Sequence, residues 1–370
     1  MGNLSKKRIE AIDLARGIGV FFIPMAHTLL IYGSSYTQEE SWLGLVVHFF
    51  GKWAGVFLIA MGFSYTLSRN NSVINSIKRG VLLMLVGYLM NFLKFIMPIL
   101  LGLIPDSFIH AYGWERPIGL DKMVYLILTG DILQLAGVCL IFMGIIHKYS
   151  QKYKYLVVYI AATVLILTEF VRGTRAGIPA LDYILDLLWG KDWNIYFAVF
   201  PWFVFILVGM FFGYYFKENE KNVQKTFKLM LLAGAVTFII GGALCLQNYE
   251  FHMRDYFHTG IGGVVYLIGC NLLFFWLSLF ILKKFKSNRV TDLFFYCSRK
   301  ITSIYVIQWV LICWSMGFVG YHNKDITTSL ILMVLFTIGT FLVQKIIDVI
   351  MEKVSFKPKK TSKEITVKVS

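Results

Sequence analysis

The first long apolar segment carries three ionisable side chains, Asp13, Arg16 and His27, within AIDLARGIGVFFIPMAHTLLIYG. In a helix of about 100° per residue, His27 returns to within about 20° of the face that carries Arg16. Asp13 lies three residues before Arg16 and shares that face, where a salt bridge to it would orient the guanidinium. Each group costs roughly 2.5 to 3.5 kcal/mol to insert into a bilayer. The pattern therefore predicts a polar cavity or reaction site along this face, with a catalytic role for His27.

The chain as a whole has the composition of a membrane protein. It contains 370 residues, of which 57% are hydrophobic and 15% charged. Apolar stretches of roughly 20 residues recur along the sequence, which predicts an all-α, polytopic membrane protein in a single domain over residues 1–352. The lysine-rich segment 353–370 is expected to be disordered. Ten spans are predicted, near residues 11–33, 42–68, 80–101, 123–147, 155–171, 195–216, 228–246, 262–282, 298–317 and 327–350.

The net charge of +15 follows the predicted topology. Most of the 36 Lys and Arg residues fall in alternate loops, beginning with the N-terminus, and this bias predicts a cell membrane protein with both termini in the cytoplasm. The basic face favours anionic lipid headgroups or a phosphorylated cosubstrate, and nucleic acid is not expected as a partner.

The five cysteines lie in or beside spans, so no disulfides are expected. No metal site is predicted, because His252 and His258 lack a third ligand.

Further polar residues are predicted at a similar depth in other spans. They are Lys52 with His48, Asn91 with Lys94, and Asp131 with Gln134. These groups, from three spans, are expected to meet His27 in one polar cavity. For Lys94 and Asp131 a buried structural pair is the alternative, and Lys52 is either paired or extended towards the membrane surface.

A second feature is the long outer loop 172–194, which contains PALDYILDLLWG. Its apolar residues alternate with Asp182 and Asp186 at helical spacing, which predicts a short helix lying on the outer surface. This helix is either an amphipathic connector or a lid that forms part of an acceptor-binding wall.

The opening IDLARGIGVFFIPMAH resembles membrane acyltransferases of the heparan-α-glucosaminide N-acetyltransferase catalytic-domain family and its uncharacterised bacterial members. Further motifs follow in the family's order: VFLIAMGFSYTLSRN, Lys78-Arg79, GDILQLAG, FPWFVFILVGMFFGYYF and CSRKITSIYVIQWVLI. The likeness runs from about residue 8 to residue 315. The spacing of Arg16 and His27 is also similar to the first span of the acyltransferase 3 family. Gln308 departs from the pattern, since the late span usually has histidine there.

The resemblance implies transfer of an acyl group, by analogy acetyl, from cytoplasmic acyl-CoA to a carbohydrate, glycolipid or small amine acceptor at the outer face. His27 would act as general base or acyl carrier, with Asp13, Arg16 and Asp131 as the other catalytic candidates. The cations near the cytoplasmic surface would hold the phosphates of CoA: Arg16, Lys78, Arg79, Arg299 and Lys300. The candidates for contact with substrate or oxyanion are Lys94, Gln134 and Gln308.

Two other functions fit the intramembrane polar residues. A proton-coupled transporter or flippase also uses Asp, His and Lys inside the membrane, and a catalytically silent scaffold is the third interpretation. A supply of acyl-CoA distinguishes the enzyme from the transporter. Spans without charge offer surfaces for a homodimer, and the oligomeric state stays open.

Overall fold

The computed structural model describes residues 9–51, 53–285 and 288–355, apart from the side chains of 48–51 and 355. The chain is 80% helical, and the described residues form no β-strand, which confirms the predicted all-α class. Of the predicted features, Lys52, the side chain of His48 and residues 356–370 lie outside the described residues. Helix α17 continues through Ser355, into the start of the predicted tail.

Seventeen α-helices occur in the described residues: α1 Glu10–Tyr32, α2 Trp42–Gly51, α3 Ala54–Leu67, α4 Val73–Asn91, α5 Met97–Leu100, α6 Asp106–Ala111, α7 Leu120–Ile127, α8 Ile132–Ser150, α9 Tyr155–Val171, α10 Pro179–Trp189, α11 Val199–Glu218, α12 Val223–Gln247, α13 Tyr249–His252, α14 Ile261–Lys284, α15 Arg289–Arg299, α16 Ile301–Val319 and α17 Ile326–Ser355. Two π-helical segments, Tyr36–Glu40 and Phe92–Ile96, lie between them.

Eight helical segments in the described residues are long and apolar enough to cross a membrane, so the predicted count of ten is wrong. The predicted second span, 42–68, is not one continuous helix, because it is divided into α2 and α3. The predicted fifth span is helix α9, but its 17 residues cover only about 26 Å at 1.5 Å per residue. The hydrocarbon core of a bilayer is about 30 Å thick.

Two local irregularities place polar residues inside the bundle. The third span runs from Val73 to Leu100, and its π-helical turn contains Lys94. The predicted fourth span is broken at residues 128–131, so that Asp131 becomes the N-cap of α8. The Asn91 amide ties the two spans together, since Nδ2 donates to the carbonyls of Ile127 at 2.9 Å and Thr129 at 2.8 Å.

The bundle has two chemically different ends. We call the end at which α1, α4 and α16 begin the basic end, after Arg16, Arg79 and Arg299, and the opposite end, with α6, α7, α10 and α13, the loop end. Helix α1 lies between them and contacts α2, α3, α14, α15, α16 and α17. Two apolar clusters, one centred on α3 and α11 and the other on the π-helical turn Phe92–Ile96 and α16, both contribute walls to one large cavity.

The helix predicted in the 172–194 loop is present as α10. Its apolar residues Leu181 and Ile184 point outwards, at 40% and 54% exposure. Asp186 is buried and pairs with Arg175, with an Nη2–Oδ2 distance of 2.7 Å. The apolar face is therefore available to the surroundings while the acidic face is attached to the protein. This orientation suits a helix at a membrane surface.

Helices α3 and α11 approach so closely that glycine is required at their contact. A methyl group added at Gly62 would lie 2.0 Å from the Ile206 carbonyl oxygen, and one at Gly209 would lie 2.0 Å from the Ile59 carbonyl oxygen. Small residues allow such backbone contact between membrane helices, where van der Waals packing drives association. The contact holds together the larger apolar cluster beside the cavity.

We expect Gly209→Ala to lower the thermal unfolding midpoint of the protein in detergent, because the helices must separate to admit the methyl group. Overpacking of this kind costs about 1–3 kcal/mol. Gly339→Ala in α17 is the matched control, since its methyl group would meet its nearest neighbour at an ordinary 3.9 Å. An unchanged midpoint in Gly209→Ala would contradict the close packing of α3 and α11.

Candidate active site

One continuous cavity of about 2230 Å³ connects the two ends of the bundle. At the basic end it is lined by Arg16, Arg79 and Arg299, and at the loop end by Trp193 and His322. The residues between these ends include His27, Lys94, Asp131, Tyr305 and Trp309. A ligand that enters at one end can therefore meet a ligand from the other end beside His27.

The hydrogen bonds of Gln308 fix the tautomer of the neutral His27 ring. Gln308 Nε2 donates to the Tyr305 carbonyl oxygen at 3.1 Å, which turns Gln308 Oε1 towards His27 Nδ1, also at 3.1 Å. Because an amide oxygen only accepts, Nδ1 carries a proton, and in the neutral imidazole the lone pair is then on Nε2. An imidazole in this tautomer is suited to take a proton from a substrate.

Trp309 connects His27 with Lys94. The His27 ring stacks on the Trp309 ring, with centroids 4.1 Å apart and planes inclined by 22°. Lys94 Nζ lies 3.6 Å from the Trp309 centroid, in cation–π geometry. The π-helical turn at Phe92–Ile96 aims Lys94 at this position, and such turns are frequent at functional sites. A neutral base and a cation therefore lie against the same aromatic ring.

Asp131 is the counter-charge of Lys94. Its Oδ1 accepts hydrogen bonds from the Ile132 amide at 2.7 Å and the Tyr305 hydroxyl at 2.9 Å, while Oδ2 lies 3.8 Å from Lys94 Nζ. The two side chains are only 3% and 4% exposed. Asp131 also begins α8, where the helix dipole favours a negative charge. The carboxylate is therefore held by its own helix, by Tyr305 and by Lys94.

A loop from the far side of the bundle brings Tyr196 to this group. Its ring centroid lies 5.7 Å from Lys94 Nζ. The loop is anchored by His258, whose Nε2 lies 2.9 Å from the Ile195 carbonyl oxygen and whose Nδ1 lies 2.7 Å from Asp255 Oδ2. Burial tends to raise the pKa of the Asp255 carboxyl, but the hydrogen bond and charge of His258 hold this pKa below its usual value. These contacts fix the outer wall of the site.

At the basic end, the predicted salt bridge between Asp13 and Arg16 is present. Arg16 Nη1 lies 3.4 Å from Asp13 Oδ1, which also accepts a hydrogen bond from the Ser298 hydroxyl at 3.1 Å. Arg16 Nη2 donates to the Ser298 carbonyl at 3.5 Å. The guanidinium is thus oriented by α1 and α15 together, and it lies about 16 Å from His27 along α1.

The sequence model of the heparan-alpha-glucosaminide N-acetyltransferase catalytic domain matches residues 8–254, about two thirds of the chain. The chain belongs to this family. No curated protein matches it significantly. Membership in the heparan-alpha-glucosaminide N-acetyltransferase family, together with the apolar helices, makes the chain a multi-pass membrane acyltransferase. The match contains His27, Lys94 and Asp131, but it ends before α16 and is shorter than the resemblance expected from the motifs.

Four other predicted site residues of this family member do not line the cavity: Lys78, Gln134, Lys300 and Gln308. In the described part of the chain, Lys78 is exposed and Lys300 pairs with Asp348 at 2.7 Å; neither lines the cavity. Gln134 belongs to the cap of α8, because its Oε1 accepts from the Asp131 amide at 3.2 Å. Gln308 lies behind His27 and is fully buried. The structure therefore gathers His27, Lys94 and Asp131, with Gln308 in contact, and leaves Lys78 and Lys300 at the surface.

Several residues of the site were not predicted from the sequence. Tyr305 and Trp309 line the cavity beside His27, and the apolar sequence of α16 gave no sign of which of its faces meets α1. Tyr196 gave no signal, because it lies in an irregular loop. Four further cations line the basic end of the cavity: Arg69, Lys217, Lys221 and Lys283. Their clustering arises from four different elements of the fold.

Neutralising either partner of the Lys94–Asp131 pair is expected to destabilise the protein. Asp131→Asn keeps a good N-cap and an acceptor for Tyr305 but leaves Lys94 without its counter-charge. Lys94→Met leaves the Asp131 carboxylate without its counter-charge. Each single change should cost about 3–5 kcal/mol, and the double variant should cost clearly less than the sum. Chemical denaturation in micelles measures these values. Additive losses would contradict a coupled pair.

Proposed function

We propose that this protein transfers an acyl group from acyl-CoA, entering at the basic end, to a hydroxyl or amine acceptor that enters at the loop end. The observation that carries the proposal is the single cavity with cations at one end and His27 and Lys94 in its middle. With the positive-inside rule, the basic end is the cytoplasmic one, so the donor comes from the cytoplasm of the cell and both termini lie there.

The cations at the basic end suit the phosphates of CoA. Arg16, Arg79 and Arg299 line the cavity from three different helices, and an arginine can hold a phosphate through two parallel hydrogen bonds. Asp13 serves as the residue that orients Arg16. The height of about 16 Å between Arg16 and His27 is comparable with an extended pantetheine arm. The thioester would therefore reach His27 while the phosphates remain at the surface.

His27 then acts as the general base. Its Nε2 removes the proton of the acceptor hydroxyl or amine as the acceptor oxygen or nitrogen attacks the thioester carbonyl carbon. The carbonyl oxygen becomes an oxyanion, which the Lys94 ammonium stabilises in a site shielded from bulk water. Collapse of the tetrahedral intermediate breaks the carbon–sulfur bond, and the CoA thiolate leaves with the proton from His27.

The neighbours of His27 and Lys94 position the reacting groups. Gln308 keeps the lone pair of neutral His27 on Nε2, and Asp131, held by Tyr305, favours the charged form of Lys94 and holds it in place. Trp309 holds the base and the cation against one rigid ring. In the runner-up mechanism His27 Nε2 itself attacks the thioester and carries the acyl group to the acceptor.

The function is tested with purified protein in liposomes and acetyl-CoA labelled in the acetyl group, supplied to one face at a time, with glucosamine on the other. We expect CoA release when the donor is at the basic face, and a loss of about 10²–10⁴-fold in His27→Ala. His110→Ala, an exposed histidine away from the cavity, is the matched control. Label retained on His27 would establish the acyl carrier, and proton-driven flux without CoA release would favour a transporter.

Gln308→Leu is expected to lower kcat by about 10²-fold, because the imidazole loses the acceptor that fixes its tautomer. The KM for acetyl-CoA should stay unchanged, since Gln308 does not contact the donor path. Steady-state kinetics separate the two parameters, and Gln151→Leu at an exposed position serves as the control. A rise in KM with unchanged kcat would contradict a positioning role for Gln308.

A further inference from the structure

His258 ties two loops together at the loop end of the bundle. It belongs to the loop of residues 253–260, which we call the His258 loop, and it contacts the loop of residues 190–198, which we call the Tyr196 loop. Its ring nitrogens lie 2.7 Å from Asp255 Oδ2 and 2.9 Å from the Ile195 carbonyl oxygen. The side chain is 14% exposed and lines the reaction cavity. A change in the hydrogen bonds of His258 therefore acts on both loops.

Both ring nitrogens of His258 face groups that accept hydrogen bonds. The Ile195 oxygen belongs to a peptide carbonyl, which only accepts, so Nε2 carries a proton. Asp255 Oδ1 accepts from the backbone amides of Phe257 at 2.9 Å and His258 at 3.3 Å, which favours an ionised carboxylate. Nδ1 then donates to Oδ2. A histidine that donates from both nitrogens is the imidazolium cation.

The charged groups of the neighbouring elements form pairs of their own. They are Glu169 with Arg172 at the end of α9, Arg175 with Asp186 and Asp192, and Glu250 with Arg254 after α13. Asp255 is left to His258 and to the more distant charge of Arg172. The strength of the tie between the loops therefore depends on the proton of His258.

The Tyr196 loop extends this tie to the reacting groups. The Gly130 amide donates to the Asn194 carbonyl at 2.8 Å, and the Tyr196 amide donates to the Gly130 carbonyl at 2.8 Å. Gly130 immediately precedes Asp131 in the chain. The Tyr196 ring centroid lies 5.7 Å from Lys94 Nζ. The loop therefore meets the Lys94–Asp131 pair through its backbone and through one side chain.

The His258 loop is itself anchored to the bundle. Arg172, directly after α9, donates to the carbonyls of His258 and Thr259, the latter at 2.9 Å. The Trp202 indole on α11 donates to the Phe257 carbonyl at 2.9 Å. These bonds do not use the imidazole. The anchor therefore stays in place when His258 loses its proton, and the change falls on the loop that the imidazole holds.

We propose that His258 is a positioning residue whose protonated ring clamps the Tyr196 loop against the Lys94–Asp131 pair, so that acyl transfer responds to the pH at the loop end. Histidine changes its charge between about pH 5 and pH 8. A neutral ring has one N–H group, so one of the two oxygens then faces a lone pair and loses its hydrogen bond. The clamp is therefore complete at low pH and weakens as the pH rises. Its consequence for catalysis rests on the proposed function, whereas the clamp itself does not.

The expected pH dependence has a sign that separates the clamp from the general base. His27 must be neutral to take a proton, so its titration makes transfer faster as the pH rises. Loss of the clamp makes transfer slower as the pH rises. Deprotonation of Lys94 would also slow transfer, but it would do so in every His258 variant alike.

The clamp is tested by hydrogen exchange of the full-length protein in nanodiscs, without acyl-CoA or acceptor. The readout is the protection of peptides 126–131 and 190–198, with each rate divided by the intrinsic rate at that pH. We expect wild-type protection to fall about tenfold between about pH 5 and pH 8, as the loss of one charge-assisted hydrogen bond allows. His258→Arg should stay protected at both pH values, and His258→Gln should be weakly protected at both.

His110→Arg is the matched control, because it adds the same charge at an exposed position of the loop end that does not line the cavity. Its protection should fall with pH as in the wild type. In liposomes with the pH varied at the loop end alone, kcat should fall about tenfold with the protection, and the KM for acetyl-CoA should stay unchanged. His258→Arg should remove this fall in kcat.

Wild-type protection that is equal at the two pH values, or that falls equally in His258→Arg, would overturn the proposal. Protection that still changes with pH in His258→Gln would overturn it as well, whether or not the arginine variant folds. A kcat that does not fall with the protection would confine His258 to a structural role and contradict its positioning role. Protection that depends on pH in a protein without acyl transfer at any pH would contradict the proposed function and not the clamp.

Discussion

An ammonium group and a carboxylate inside an apolar bundle remain charged only while each is held beside the other. Lys94 and Asp131 are in this position, almost completely buried and 3.8 Å apart. Removing one partner leaves a buried charge without compensation, at a cost of about 3–5 kcal/mol. Two departures from regular helix exist around the pair, the π-helical turn at Lys94 and the break before Asp131, and the Asn91 amide donates hydrogen bonds to carbonyls at that break.

The same pair places a cation, Lys94, on one side of a site whose other reacting group is the base His27. Trp309 contacts both Lys94 and His27, so that a cation and a neutral base share one aromatic neighbour. A cation here suits a developing oxyanion, and a base here suits the proton of an acceptor. The cavity then supplies two entrances, one lined with arginines and one lined with aromatic rings. Membership in the family makes the chain a membrane acyltransferase, and the geometry supports entry of the donor at the basic end and of the acceptor at the loop end.

Part of this arrangement was predictable from the sequence. The helical spacing of Asp13, Arg16 and His27 predicted one face, and the depths of Lys94 and Asp131 predicted their neighbourhood. The rings that complete the site were not predictable, because Trp309 lies 282 positions after His27 and an apolar helix such as α16 gives no sign of which face meets α1. The span count was wrong because the break at Trp53 barely changes the hydropathy of the surrounding residues, and because α9 is as apolar as a span but only 17 residues long.

The most direct test is a cryo-EM structure of the protein in nanodiscs with a hydrolysis-resistant acetyl-CoA analogue, in which a methylene group replaces the thioester sulfur. We expect the phosphates near Arg16, Arg79 and Arg299, and the acetyl carbonyl oxygen at about 2.7–3.1 Å from Lys94 Nζ. The methyl group and the carbonyl carbon should lie beside His27. An analogue whose acetyl group stays at the basic end, or which binds outside the cavity, would contradict the account.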